Sequence, residues 1–226
     1  MNSEPSGRVE LRRRSPLAER CAQSGATVVV EWGWETVSHY TSPEEELEAV
    51  RRSVGLADLS RIPKFDVRGG CSDTLPELDA QAGIWPQRPG ETLVTCPPES
   101  AAAVREQLDR YASAAGEDAP VYVSDVTAVY TALMLAGPES GNVLGRLADI
   151  DASDTALPNL DCVQTGVHHV HAMVARQDLG PLPAYLIFTG REYGEWLWDT
   201  VMLAGVSCGI QPFGSKAQQT LEAARP

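Results

Sequence analysis

Short β-branched runs and amphipathic helical stretches intermix along this chain without a strict strand-helix-strand period, and that rhythm limits the fold more than any motif does. A doubly wound parallel sheet needs a crossover helix between successive strands. Here several strands follow one another directly. The pattern therefore predicts an α+β fold of two interlocked, mainly antiparallel sheet/helix halves. Residues 1–14, polar and broken by Pro5 and Gly7, are expected to form a loose arm, with one domain over 15–226.

Within the domain, helix signals stand at Ser15-Pro16, at Ser42-Pro43 with acids following, over Glu99–Tyr111, after Gly137-Pro138-Glu139, through Trp196–Leu203, and over Ser215–Ala224. Strands are expected at Thr27–Trp32, Ala57–Leu59, Lys64–Arg68, Leu93–Cys96, Val121–Asp125, Tyr130–Leu135, Val167–Ala175 and Ala184–Phe188. Gly69-Gly70 should release the chain into a turn or helix start. The stretch Asp79–Gly90, with Gly83, Pro86, Pro89 and Gly90 at no period, reads as loop.

Composition excludes some functions. A formal net charge of −13 repels phosphate backbones and anionic lipid, so nucleic acid and membrane are not expected partners. Arg12-Arg13-Arg14 is too short a basic run to change that. Five cysteines with long gaps and no CxxC suit reduced thiols and a cytoplasmic location. The apolar run Ala26–Val30 stops at Glu31, far short of a membrane span.

Three local patterns invite chemistry. His169 and His171 would alternate onto one face of a strand beside His168, but two imidazoles do not complete a metal site and no further ligands stand at metal spacing. Gly137-Pro138-Glu139-Ser140-Gly141-Asn142 lacks the Lys-Ser/Thr pair of a phosphate loop and reads as a helix start. Trp32-Gly33-Trp34 with Tyr40 offers flat aromatics that could stack on a heteroaromatic ring or pack at a core edge.

The order and spacing of further segments resemble a known family. Ser15-Pro16-Leu17, Gly25-Ala26, Trp32-Gly33-Trp34-Glu35, Tyr40 and Val50–Ser60 are similar to the opening of aminomethyltransferases, the glycine-cleavage T-proteins. Lys64–Gly69, Ala132–Ser140, Trp198-Asp199 to Gly205, and Gly209–Ala217 with Thr220–Ala223 resemble later segments of the same family. The resemblance runs over about residues 15–226 and implies the aminomethyltransferase folate-binding-domain fold without its C-terminal β-barrel. Among family members the outline is nearest to the short sarcosine oxidase gamma subunit.

Departures from the family pattern bear on function. The T-protein aspartate that orients folate lies on a hairpin before the strand at Leu93, and here the passage from Ala82 to Glu91 is expected to leave no room for that hairpin and carries no equivalent acid. The Gly-Tyr-Thr-Gly-Glu motif is replaced by Gln177–Pro183 after Arg176, and an arginine for the folate carboxylates by Lys216, which lacks the two-pronged fork. Each lost charge-assisted bond costs roughly 1.5–3 kcal/mol, so three would abolish micromolar affinity. The positions left to touch tetrahydrofolate are Trp34, Tyr40, Ser60, Arg176 and Lys216, with no catalytic residue and weak binding at most.

What the resemblance implies is an accessory, non-catalytic subunit of a folate-linked one-carbon or amine-oxidising complex, with flavoprotein subunits as partners. The alternative is a tetrahydrofolate-dependent aminomethyl- or methyltransferase in which Glu35, Glu192 or Glu195 replaces the missing acid. A stand-alone regulator that binds another aromatic ligand is the third reading, since fold alone fixes no function.

Overall fold

A computed structural model describes residues 12–69, 75–78 and 82–224. Most of the expected arm and the turn after Gly69-Gly70 lie outside the described residues.

Alternation along β8 (Tyr130–Ala136) explains the centre of the fold. Leu133 and Leu135 point into one apolar cluster, Ala132, Met134 and Ala136 into another, and every residue after Tyr130 is buried. A strand buried on both faces must lie inside a sheet covered on both sides. Here it pairs with β3 (Gly55–Asp58) and β11 (Ala184–Gly190) in a six-stranded sheet of order β12-β3-β8-β11-β10-β9. The other members are β9 (Cys162–Val167), β10 (Val170–Arg176) and β12 (Gln211–Pro212). All its pairings are antiparallel except the short β12–β3 contact.

Helices α1 (Ala18–Gln23), α4 (Ser140–Leu144) and α5 (Gly194–Gly205) cover the Leu133 face, with Leu197, Trp198 and Val201 packed into it. The Met134 face receives α2 (Pro43–Arg52) and α6 (Ser215–Ala223) through Val50, Ala217 and Leu221. The Ser42 signal is a full capping box: Ser42 Oγ accepts from the Glu45 N–H, and the Glu45 carboxylate accepts from the Ser42 N–H. Inside α2, Glu46 is buried and its carboxylate accepts from the N–H groups of Tyr40 and Thr41, just before the helix, and of Gly214, 168 residues away, tying the start of α2 to the start of α6.

A second, four-stranded sheet has the order β5-β6-β4-β7, made of β4 (Lys64–Arg68), β5 (Gly83–Arg88), β6 (Glu91–Thr95) and β7 (Tyr122–Asp125). Helix α3 (Ala101–Ala114) covers it with Val104 and Leu108. This sheet corrects the loop expected at Asp79–Gly90: a hairpin does form there. Pro86 is tolerated because β5 is the sheet's edge, and the register shifts between Pro86 and Arg88. Gly83 is required because a Cβ there would stand 2.4 Å from the ring of buried Trp85. The hairpin docks on the larger sheet where the Cys162 thiol donates to the Pro86 carbonyl at 3.2 Å.

A two-stranded ribbon, β1 (Thr27–Glu31) and β2 (Trp34–His39), completes the architecture. On β2, Trp34, Thr36 and Ser38 are buried, while β1 keeps Val28 and Val30 exposed. The outer edge of β2 is met by Arg13, whose N–H donates to Gly33 O at 3.0 Å and whose carbonyl accepts from Glu35 N at 2.9 Å.

The expected strand over Val167–Ala175 divides into β9 and β10, with His168 and His169 in the turn between them and His168 at φ 55°. His169 and His171 are therefore not successive residues of one strand face. Among the described residues no three His, Cys, Asp or Glu side chains are placed to hold a metal ion. No described helix is long and apolar enough to cross a membrane.

Candidate functional site

The two sheets, the ribbon and α6 meet around a cavity of about 250 Å³. Its apolar floor is Leu59, Met134, Leu179 and Leu186, with Met134 on β8 and Leu186 on β11 direct cross-strand partners. Its polar wall comes from four directions: Glu31 and Trp32 at the ribbon tip, Arg61 in the turn between β3 and β4, Glu99 after β6, and Gln218, Gln219 and Glu222 on α6.

None of Trp34, Tyr40, Ser60, Arg176 and Lys216 lines this cavity. Trp34 is buried beneath the Arg13 guanidinium, 5.8 Å from its ring centre. The Tyr40 hydroxyl donates to Cys21 Sγ at 3.3 Å. Burial raises the pKa of both groups, that of Cys21 to about 12, so this is a core contact between neutral groups. Ser60 is buried with its Oγ accepting from Ala132 N at 3.3 Å. Lys216 is exposed on α6.

Arg176 is fully engaged. Its Nε donates to Asp178 Oδ1 at 2.9 Å, and its Nη1 to Asp154 Oδ1 at 2.6 Å and Leu157 O at 3.1 Å. These partners, the bond to Asp178 foremost, hold its pKa above the ordinary value despite burial. The guanidinium thus fastens the segment before β9 to the loop after β10.

The acids proposed to stand in for the missing aspartate do not face the cavity either. Glu35 pairs with Arg14 at 2.8 Å, Glu195 lies 3.6 Å from Arg20, and Glu192 is exposed beside Gly190. Strand β5, although present, bears no carboxylate. The acids that do line the cavity are Glu31, Glu99, Glu222 and Asp178, and Asp178 is taken by Arg176.

Arg61 has the opposite character to Arg176. Its Nε is sealed from solvent with no hydrogen-bond partner, and it forms no ion pair within 4 Å among the described residues. Burial lowers its pKa, while Glu31, Asp58, Glu222 and Glu99 push it back up from a distance. It also borders a smaller cavity of about 80 Å³ under α1, where Thr36 Oγ1 is likewise unpartnered. Nearby Lys64 is completely buried and donates to Ser60 O and Ile62 O at 2.9 Å each and to Thr127 O at 3.5 Å. Burial pushes its pKa down to about 7, against the pull of Asp58 and Asp125.

Sequence reasoning named Trp32 within its aromatic group but carried Trp34 forward instead, and it missed Arg61, Glu31 and Glu99. The available signal was position: Glu31 ends an apolar run at a hairpin turn, and Glu99 follows Pro97-Pro98 at the end of a strand, where chain segments leave a sheet and surround clefts.

Comparison with known proteins places this geometry. Residues 85–224 match the family described as the GCVT N-terminal domain. An aminomethyltransferase of Geobacillus thermodenitrificans is 29% identical over 234 residues, which span 93% of this chain and 63% of the relative. The sarcosine oxidase subunit alpha of Rhizobium meliloti is 24% identical over 246 residues, 92% of this chain and 25% of the relative. The solved glycine cleavage system aminomethyltransferase T from Bartonella henselae superposes with a TM-score of 0.72 at 17% identity, over 93% of this chain and 62% of its own. A chain of the heterotetrameric sarcosine oxidase from Corynebacterium sp. U-96 gives 0.62 at 17% identity, over 86% of this chain and 95% of that one. At such identities the superpositions establish the fold. The chain spans less than two thirds of the length of these aminomethyltransferases.

Proposed function

This chain belongs to the GCVT N-terminal domain family, and from that premise we propose that it is an accessory, non-catalytic subunit of a cytoplasmic, folate-linked complex of one-carbon or amine-oxidising chemistry. The observation that carries this reading is the state of the central cavity. At about 250 Å³ it falls below the ~300–1,000 Å³ of pockets that enclose drug-sized ligands, a class that includes reduced folates. Its wall carries Glu31, Glu99 and Glu222 against one arginine, which opposes the dianionic glutamyl tail of tetrahydrofolate. The arginine carried over from the family resemblance, Arg176, is already engaged by Asp154 and Asp178 and does not line the cavity.

The ribbon supports the need for partners. Val28, Val30 and Trp32 are 46%, 47% and 65% exposed, and among the described residues β1 pairs with β2 alone. An unpaired, β-branched, apolar edge is a site for association with another chain. Flavoprotein chains are the partners we propose, by likeness to the heterotetrameric sarcosine oxidase. Affinity purification of the tagged chain from its native cell tests this: co-purifying flavin absorbance at a fixed ratio is expected. A stable, flavin-free monomer that turns over tetrahydrofolate with an aminomethyl donor would overturn it and leave the transferase reading in its place.

A further inference from the structure

Helix α5 turns large apolar side chains toward solvent. Leu197, Trp198 and Val201 face the core, so at about 100° per residue the positions pointing furthest outward are Trp196, Asp199 and Leu203. Trp196 is 38% and Leu203 76% exposed, and the flanking turns add Tyr193 at 43% and Val206 at 68%. Single exposed apolar residues are ordinary, but four along one helix make a patch. The order of these four is palindromic. Trp196 and Leu203 stand equally far from the midpoint between Asp199 and Thr200, and so do Tyr193 and Val206. The charges follow the same symmetry. Arg146 Nη1 donates to Ala204 O at 2.8 Å and to Ser207 Oγ at 2.6 Å, which seats at the C-terminal end of the stripe a guanidinium with no carboxylate partner among the described residues. Ala204 and Ser207 mirror Glu195 and Glu192, exposed acids at the N-terminal end. Asp199, near the midpoint, is held by Arg20 at 3.0 Å, which offsets its charge where two copies would approach.

We infer that the outer face of α5 is a dimerisation surface and that its occupant is the α5 of a second copy of this chain, packed antiparallel about a two-fold axis between Asp199 and Thr200. In that arrangement Trp196 meets the partner's Leu203, Tyr193 meets the partner's Val206, and Arg146 meets the partner's Glu195 and the partner's Glu192. Each contact is made twice, as a two-fold axis requires. A foreign chain has no need of a stripe that mirrors itself. The net charge of −13 opposes pairing at long range, but beyond about 8 Å it is screened at physiological salt. The stripe, about 20 Å long and ~10 Å wide, is small beside the ~800 Å² per partner of standard interfaces, so a weak dimer with a Kd of about 10–100 µM is expected. This inference goes beyond the accessory role proposed above and does not rest on it.

The test is sedimentation equilibrium of the purified full chain at physiological salt, carried to protein concentrations several times the expected Kd. A reversible monomer–dimer equilibrium is the expected result. L203E, at an exposed position, should keep the wild-type urea midpoint and raise the Kd by about tenfold or more. E195R and R146E should each raise it by about three- to tenfold, because each sets like charges against one another twice per dimer. An equimolar mixture of those two variants should recover dimer close to wild-type strength: Arg146 of one chain meets Glu195 of the other, and the introduced acid meets the introduced base. If R146E does not fold, L203E and E195R decide the matter. A monomer at every concentration, a dimer that L203E leaves unchanged, or a mixture no tighter than its components would overturn the inference. A monomer that still co-purifies with flavin would remove the dimer alone, whereas a flavin-free dimer would remove the flavoprotein partners and leave this surface assigned.

Discussion

Raising the pH from 7 to 8.5 should make this protein more stable, through one buried lysine. Lys64 has no exposed surface, and burial lowers its pKa from 10.5 to about 7. In the unfolded chain the amine keeps its proton up to its ordinary pKa, while in the folded chain it releases it near pH 7. Between those values unfolding takes up a proton, so a rise in pH disfavours unfolding. With folded and unfolded pKa values of about 7 and 10.5, the gain between pH 7 and 8.5 is about 1.5 kcal/mol. The window closes there because Cys21 and Cys162, raised to about 12 and 11, act in the opposite direction once unfolded thiols ionise near pH 9. Urea unfolding followed by far-ultraviolet circular dichroism at both pH values would measure the gain. Lys64→Met removes the titrating group, and its stability should not rise over this interval. An equal rise in wild type and variant, or a fall in wild type, would refute the reasoning.

Other outcomes follow from the same contacts. Arg176→Gln should cost about 2 kcal/mol in urea unfolding, less than the ~3–5 kcal/mol for breaking a fully buried pair, because Asp154 is 90% exposed. Glu46→Ala strips three backbone N–H groups of their acceptor and should lower stability by about 3 kcal/mol. Trp32→Asn relaxes the positive-φ turn and should raise stability by about 0.5–1 kcal/mol in the same assay.

The elements that came through from sequence are those whose local signals agree with their surroundings. Ser42-Pro43 with Glu45 encodes its own capping box, and β8 reads as a buried strand because both its faces are apolar. The hairpin at 83–95 was hidden because its glycines and prolines are turn formers, and each is explained only by a distant partner: Gly83 by the Trp85 ring, Pro86 by lying on a sheet edge. The same limit governed the site. Trp32 and Trp34 are two residues apart, but the turn between them sends Trp34 into the interior and Trp32 to the cavity rim. Arg61 and Arg176 are both arginines near family-like segments. Which one is saturated depends on Asp154 and Asp178, whose approach no spacing encodes.

The chain keeps the family's fold, and the proposal built on it is that an autonomous folate site is not kept. Isothermal titration of the purified chain with tetrahydrofolate under reducing conditions tests it most directly. The account predicts no saturable heat in the micromolar range. A one-to-one complex with micromolar Kd would contradict it and place this chain among the folate-dependent transferases.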